Sequence, residues 1–267
     1  MLSIEFLVAL LLLGAVVGFF AGLFGIGGGG IMVPILSSLF LWQSLPLDQV
    51  IHLALGTSMA CIIMTAIASL RAHHARAAVH WPIVRMMTPG VLIGTFAGAF
   101  FASILSTQYL ALFFTLFMAF IALQMFCSKP SQSKKTTQHE LSVHAVSLSI
   151  GSLSALVAIG GGSLTVPYLL WRHIDIKAAI GTSAAVGLPI AVAGACGYLI
   201  TGWNVETGQA GVFGYIYLPA VIAISLVSSL TAPLGVRAAH SLPTALLKKL
   251  FAVCLLLLSL RMLTTVL

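Results

Sequence analysis

The sequence predicts an all-α integral membrane protein made of two inverted-topology repeats, each with a glycine-broken helical hairpin plus three full transmembrane helices. Three observations lead to this prediction: the composition, a duplicated glycine-rich motif and the distribution of basic residues. The chain of 267 residues is 60% hydrophobic and 6% charged, whereas soluble domains are about 25% charged. Apolar stretches of about 20 residues, long enough to cross a bilayer as helix, recur along the chain. The composition therefore excludes a soluble fold.

The first apolar stretch contains the run GLFGIGGGGIMVP, residues 22–34. Gly25, Gly27 and Gly30 spell the G-x-G-x-x-G pattern of dinucleotide-binding loops, but that function requires a soluble βαβ unit, which the composition excludes. Consecutive glycines break a helix. We therefore predict a turn inside the membrane, with Pro34 in the first turn of the next helix, where a missing N–H group is tolerated. The N-terminus lacks a basic region and a cleavage site, so we expect a retained span.

The chain carries the same landmarks twice. GIGGGGIMVPIL at 25–36 aligns with AIGGGSLTVPYL at 158–169, an offset of 133 residues. The triplet GTS at 56–58 recurs at 181–183. Later matches pair Gly98, Leu105, Thr107 and Phe114 with Gly235, Leu242, Thr244 and Phe251. We predict a first transmembrane repeat at 1–127, a polar cytoplasmic linker at 128–140 and a second repeat at 141–267.

The basic residues predict the orientation of each repeat. If each glycine-rich stretch only ended a span, the twelve Lys and Arg residues would divide six against six between the two sides, contrary to the positive-inside tendency. If each stretch turns the chain back within the membrane, eleven of the twelve share one side and Arg261 lies on the other. Each copy then makes an odd number of passes, so the second copy is inverted. Basic residues in the loops between the predicted spans account for the net charge of +7. We therefore expect no nucleic-acid partner.

The segments after the glycines, residues 31–42 and 164–172, cover only about 14 to 18 Å as helix, roughly half a membrane. Backbone amides bared to hydrocarbon cost several kcal/mol each, so both turns must contact protein or line a polar cavity. Unpaired amides and the positive dipole end of each short helix form a predicted anion site, worth up to about 2 kcal/mol per helix end. Gly14, Gly18 and Gly22, by contrast, form a ridge typical of close helix packing.

The predicted substrate-binding residues come from the two turns and the two triplets. Ser and Thr hydroxyls suit an anion that must be released again, but in membrane helices they also bond to the carbonyl one turn earlier. Both interpretations of the triplets stay open. The set comprises Gly27, Gly28, Gly29, Gly30, Ile31, Thr57, Ser58, Gly160, Gly161, Gly162, Ser163, Thr182 and Ser183, with Pro34 and Pro167 as helix-break residues.

Ionisable residues avoid the middle of the predicted spans. The acidic residues Glu5, Asp48, Glu140, Asp175 and Glu206 all map to span ends and loops. Because intramembrane carboxylates mark cation and proton pathways, a cation exchanger is disfavoured. His52, His80, His173 and His240 lie near span ends, and we interpret them as solvated. The sequence contains no convergent catalytic set or metal-ligand motif, so we expect neither an enzyme nor a cofactor or metal.

The doubled glycine motif, the paired GTS triplets and the segment GYIYLP at 214–219 resemble the sulfite exporter TauE/SafE family, also called the TSUP family of anion permeases. The resemblance runs nearly end to end. It implies a protein of the bacterial cytoplasmic (inner) membrane that moves small anions, commonly sulfur oxyanions or organosulfonates. Ala158 stands at the position of Gly25 and Ser163 at that of Gly30.

We therefore expect a secondary transporter, an exporter by resemblance, that works by alternating access and holds its anion at the midplane between the turns. Both termini are predicted on the periplasmic side. A passive anion channel is the main alternative, and a membrane enzyme or assembly factor is another. The expected partners are a small anionic substrate and the lipid bilayer. The choice of anion, the coupling ion (proton or sodium) and the oligomeric state, a homodimer being one option, stay open.

Overall fold

The structure, a computed structural model, describes residues 3–25, 27–127, 140–205 and 209–241, together with residues 243, 253, 256, 257, 259 and 260. The predicted linker, apart from Glu140, lies outside the described residues, as do Arg261 and the late landmarks Leu242, Thr244 and Phe251. Within the described part the chain is almost entirely helical.

Helices make up most of the described part of the chain. In chain order they are α1 (Ile4–Phe24), α2 (Gly29–Trp42), α3 (Val50–His74), α4 (Trp81–Ile104), α5 (Thr107–Cys127), α6 (Glu140–Val157), α7 (Gly162–Trp171), α8 (Ile176–Thr201) and α9 (Leu218–Ser241). Strands β1 (Val212–Phe213) and β2 (Ile216–Tyr217) form a small antiparallel hairpin before α9. Six described helices, α1, α3, α4, α5, α8 and α9, are long and apolar enough to cross a membrane. The all-helical membrane fold class is confirmed.

Helices α1 and α2 form a hairpin that returns to its starting end. Gly25, with φ +67°, ends α1, and Gly28, with φ +79°, precedes α2. Glycine adopts this left-handed backbone without the clash that a Cβ atom brings. Phe6 near the start of α1 and Phe40 near the end of α2 both pack on Tyr217, with ring centroids 6.4 and 5.8 Å away. The chain therefore reverses at the glycines.

The second copy turns in the same way between α6 and α7. Gly161, the residue before α7, has φ +75°, and Ala158, at the position of Gly25, also has a positive φ of 48°. The helices α2 and α7 that follow the turns contain 14 and 10 residues, about 21 and 15 Å at 1.5 Å per residue.

The prolines lie deeper in these short helices than predicted. Because α2 and α7 begin at Gly29 and Gly162, Pro34 and Pro167 are inside the helices and not in their first turns. A proline at that depth removes one N–H group from the helical hydrogen bonds. The helix breaks themselves lie at the glycines.

Close backbone contacts join α1 to α9 and α4 to α6. The ridge of Gly14, Gly18 and Gly22 lies against residues 224–236 of α9, where a Cβ atom on any of the three glycines would overlap the α9 backbone. Residue numbers rise together along α1 and α9, so these two helices run parallel. The predicted packing role of this ridge is confirmed.

The contact between α4 and α6 is equivalent to the contact between α1 and α9. Gly18 and Gly151 occupy matching positions in the two copies, as do Ser228 and Val91. A Cβ atom on Gly18 would overlap the Ser228 carbonyl oxygen, and one on Gly151 would lie 2.5 Å from the Val91 carbonyl oxygen. The α4–α6 contact therefore repeats the α1–α9 contact at matching positions of the sequence repeat.

Helices α3 and α8, which carry the two GTS triplets, pack against each other in the centre of the bundle. A Cβ atom on Gly56 would lie 3.0 Å from the Tyr198 side chain, and one on Gly194 would lie 2.9 Å from the Met59 sulfur. Residue numbers therefore rise along α3 while they fall along α8. The two helices run antiparallel where they touch.

We expect Ala158→Gly to raise the free energy of unfolding by about 0.5 to 1 kcal/mol, because an L-residue with positive φ is strained and glycine is not. Thermal unfolding in detergent measures the change. The matched control is Ala145→Gly, at an exposed helical position on α6, which should lower stability by up to about 1 kcal/mol. If both variants lost stability alike, the strain at Ala158 would be refuted.

Candidate functional site

The two glycine turns meet each other. A Cβ atom on Gly27 would lie 3.2 Å from Gly160 Cα, and one on Gly29 would overlap the carbonyl oxygen of Ala158. No side chain fits at either position. The backbones that leave their helices inside the bundle therefore pack on each other, which shields them from lipid.

A small cavity lies between the turns, near the middle of the central helices. Gly27 lies against Ile62 at the midpoint of α3, and Gly160 lies against Gly187 near the midpoint of α8. The cavity has room for about one water molecule. Its lining residues are Gly25, Gly27, Ala66, Ser69, Gly160, Ala184 and Gly187. An oxyanion with three or four oxygens is larger than this cavity, so the turns must separate to admit one.

The starts of α2 and α7 lack side-chain caps. Their N-cap residues are Gly28 and Gly161, and neither helix start receives a side-chain hydrogen bond from the described residues. Two other helix starts have caps: the Ser3 hydroxyl accepts from the Phe6 N–H at the start of α1, and Asp175 accepts from the Lys177 N–H at the start of α8. Helices α3 and α4, like α2 and α7, begin without a side-chain cap. Uncapped amides and a positive dipole end can bind an anion.

Buried hydroxyl groups stand near both the turns and the triplets. The side-chain oxygens of Ser58, Ser163 and Thr165 have no hydrogen-bond partner within the described part of the chain. Ser58 and Thr165 are fully buried, and Ser163 is 8% exposed. Unpaired buried hydroxyls are free to bond to a ligand. The sequence did not predict Thr165, because Met32 occupies the matching position in the first copy and the repeat therefore gave no signal.

The threonines of the two triplets bind backbone. Thr57 Oγ1 accepts from the Tyr217 N–H at 3.0 Å, and Thr182 Oγ1 accepts from the His80 N–H at 2.9 Å. Tyr217 and His80 hold matching positions, just before α9 and α4. Burial raises the pKa of the Tyr217 hydroxyl, so this group stays neutral at physiological pH.

The glycines of the triplets let the same segments approach. A Cβ atom on Gly56 would overlap the Tyr215 carbonyl oxygen, and one on Gly181 would overlap the Ala78 carbonyl oxygen. We call the contacts of Gly56 and Thr57 with residues 215–217 the α3 clamp. The matching contacts of Gly181 and Thr182 with residues 78–80 form the α8 clamp. Each clamp fixes the segment that leads into α9 or α4.

The serines of the triplets differ between the copies. Ser183 Oγ donates to the Gly25 carbonyl oxygen at 3.2 Å and also lies 2.8 Å from the Ile180 carbonyl oxygen. Ser183 thereby connects the second triplet to the first glycine turn. Ser58 has no such partner in the described part of the structure.

Apart from Ser58 and Ser183, the predicted substrate-binding residues fall into three groups. Gly27 and Gly160 line the cavity. Gly29 and Gly162 begin the uncapped helices. The residues next to them in sequence belong to the same group: Gly28, Gly30, Ile31, Gly161 and Ser163. Thr57 and Thr182 belong to the clamps, and any contact of theirs with substrate stays a prediction. Four lining residues were not predicted, because they lie on the central helices without a repeated motif: Ala66, Ser69, Ala184 and Gly187.

One histidine differs from its interpretation as solvated. His52 is 5% exposed, and its Nε2 lies 3.1 Å from the carbonyl oxygens of both Ala102 and Leu105 at the end of α4. Side chains of this type satisfy the last carbonyls of a helix, which have no helical partner. The interpretation of His52 was therefore wrong, while His80 and His173 are exposed.

The chain is similar to membrane transport proteins along most of its length. The family model described as sulfite exporter TauE/SafE matches residues 10–262. A "probable membrane transporter protein" of Haemophilus influenzae is 37% identical over 96% of this chain and 98% of its own length. Relatives carrying that description are 28% identical in Methanocaldococcus jannaschii, over 88% of both chains, and 31% identical in Xylella fastidiosa, over 70% of this chain and 72% of the relative. No solved structure matches.

We expect Thr57→Val to destabilise the protein by about 1 to 3 kcal/mol, since the substitution leaves the buried Tyr217 N–H without an acceptor. Thr57→Ser is the matched control, because it keeps the hydroxyl, and it should retain most of the stability. Unfolding in detergent measures both variants. Equal stability of the valine variant and the wild type would disprove the clamp.

Proposed function

Because the chain belongs to the sulfite exporter TauE/SafE family, we propose that it is a secondary transporter, an exporter of small anions such as sulfur oxyanions or organosulfonates. It is a multi-pass membrane protein whose relatives are named as membrane transporters. The observation that carries the proposal is the meeting of two uncapped helix starts beside a cavity at the middle of the central helices.

The packing supports two repeats of opposite orientation, at 1–127 and 141–267. Helices α3 and α8 are copies of each other in the sequence, and they run antiparallel where they touch. A helix and its copy that point in opposite directions belong to units turned upside down relative to each other. In that arrangement the starts of α2 and α7 approach the cavity from opposite sides of the membrane, and we place both termini on the periplasmic side of the inner membrane.

The donors around the turns suit an anion. The donors are the amides at the starts of α2 and α7, with the positive ends of the two helix dipoles, and the hydroxyls of Ser58 and Ser163. These groups carry no net charge, so they bind an anion without forming a full ion pair with it. An oxyanion has enough oxygens to accept from both helix starts at once. We propose the whole predicted set as its site, from Gly27 to Ile31 and Gly160 to Ser163, with Thr57, Ser58, Thr182 and Ser183 near it.

The clamps suggest how access alternates. The α3 clamp lies near the start of α3 and the α8 clamp near the start of α8. Because these helices are antiparallel, the clamps lie toward opposite ends of the pair. Release of one clamp while the other stays closed would open the cavity to one side at a time. A passive channel would instead need both ends open together.

We expect purified protein to gain thermal stability in sulfite, sulfate, thiosulfate or methanesulfonate, because a ligand that binds only the folded state stabilises it, by about 2.7 kcal/mol at 100 times Kd. Chloride at equal ionic strength is the control. In proteoliposomes the flux of the stabilising anion should saturate and run uphill when driven by a counter-gradient. Flux that only dissipates gradients would indicate a channel, and the absence of both binding and flux would refute the proposal.

We expect Gly29→Ala to abolish the anion-dependent stabilisation and to lower transport at least about tenfold, a loss of about 1.4 kcal/mol. Its Cβ atom would overlap the Ala158 carbonyl oxygen and force the turns apart. Gly194→Ala is the matched control on α8, because its Cβ atom meets only the flexible side chain of Met59. A folded Gly29→Ala protein with wild-type binding and transport would exclude the site between the turns.

A further inference from the structure

One wall of the cavity continues into a row of polar groups on α3. Ser69 lines the cavity, and His73 follows one helical turn later on the same face. Ser69 is 2% and His73 1% exposed. Ser69 Oγ and His73 Nδ1 both lack a hydrogen-bond partner in the part of the chain that the structure describes. Buried polar atoms are nearly always hydrogen-bonded, so these two unpaired atoms are available to bind a ligand.

The sequence repeat shows which of the two ring nitrogens of His73 has a structural role. His73 matches Tyr198 in the second copy, and Gly22 matches Ala155. His73 Nε2 lies 3.3 Å from the Gly22 carbonyl oxygen, and the Tyr198 hydroxyl donates to the Ala155 carbonyl oxygen at 2.9 Å. The two bonds are equivalent, and each connects a central helix to the first helix of its copy. The tyrosine side chain has one polar atom, which makes this bond. The histidine ring has a second nitrogen, Nδ1, which takes no part in it.

The row occurs in one copy only. Ser69 matches Gly194, which has no polar side chain. The second copy therefore preserves the bond between helices but carries no polar path from that bond to the cavity. Helix packing explains the hydrogen bond of His73 Nε2, but it gives no role to His73 Nδ1 or to Ser69.

Basic side chains surround the outer end of the row. The His73 and His240 rings lie 5.8 Å apart, and Arg76 and His240 act electrostatically on His73. Arg76 and Lys177 act likewise on His240. We call His73, Arg76, Lys177 and His240 the basic mouth; they come from α3, the segment after it, α8 and α9. The titratable residue of α1, Glu5, lies at the far end of that helix from Gly22.

We propose that the basic mouth and Ser69 form a loading site for a small oxyanion, which leads through Ser69 into the cavity between the glycine turns. With Nε2 donating to Gly22, the neutral His73 ring presents a lone pair at Nδ1, so an oxyanion bonds there only together with a proton. A proton on His73 beside Arg76 is favoured when an anion is present, because the anion offsets the like charges. The inference rests on the proposed function and identifies the side of the cavity from which the anion loads.

Asp175 is the acidic residue nearest in sequence to Lys177, and its carboxylate accepts from the Lys177 backbone N–H. The positive-inside tendency accounts for exposed basic residues in this region. It does not account for a buried histidine with an unused nitrogen, next to an unpaired serine that reaches the cavity. The loading site explains all of these features.

The test measures uptake of methanesulfonate and thiosulfate into proteoliposomes, because the charge of these anions does not change between about pH 6 and pH 8, where histidine titrates. His73→Tyr copies Tyr198, and Ser69→Gly copies Gly194. We expect the wild-type KM to rise with pH over this range. His73→Tyr should raise KM about tenfold at pH 6 and remove the pH dependence, with its melting temperature unchanged.

Arg76→Gln and Lys177→Gln should raise KM a few-fold at low salt and leave the maximal rate unchanged. The difference should vanish near 1 M salt, where the screening length falls to about 3 Å. If His73→Tyr does not fold, Ser69→Gly and the two glutamine variants carry the test. If the wild type transports and the folded variants share its KM, pH profile and salt dependence, the loading site is refuted while the proposed function stands. If the wild type transports no anion, both fail.

Discussion

Backbone that leaves its helix within a bilayer has to be sheltered by protein, and the contact between the two glycine turns meets that requirement. Gly27 and Gly29 from one copy lie directly on Gly160 and Ala158 from the other. A single added methyl group at Gly29 has no room. The starts of α2 and α7, the cavity and the neighbouring middle parts of α3 and α8 all depend on this contact. A protein without it would expose uncapped amides to hydrocarbon.

The duplicated contacts help to separate structural from functional residues. Three kinds of contact occur in equivalent pairs: the α1–α9 and α4–α6 interfaces, the two clamps, and the bonds of His73 and Tyr198. Such duplication is expected of elements that hold the bundle together. Where the copies differ, packing alone is a weaker explanation. Ser69 and the second nitrogen of His73 have no counterpart in the other copy, and both are buried without a partner among the described residues. A sequence that carries the same landmarks twice thus provides an internal control for the role of a side chain.

Much of the fold could be predicted because its signals are local. Composition identified the membrane class, consecutive glycines marked the helix breaks, and the Gly14–Gly18–Gly22 spacing indicated a packing ridge. Other features depend on distant partners without a sequence signature. Thr57 bonds to the backbone of Tyr217, 160 residues away, and any residue except proline could supply that N–H. His52 binds the end of α4 across 50 and 53 residues, and the depth of Pro34 depended on where α2 begins. The opposite orientation of the repeats remains a prediction, and so does the substrate site.

The close packing of the two glycine turns also matters for the voltage across the membrane. Each elementary charge that leaks across a membrane held at 100 mV dissipates about 2.3 kcal/mol. The glycine backbones touch around a space for about one water molecule, which leaves no room for a hydrated ion at this point of the described structure. Close packing of this kind would let the proposed transporter remain in the membrane at high copy number without dissipating the voltage across it.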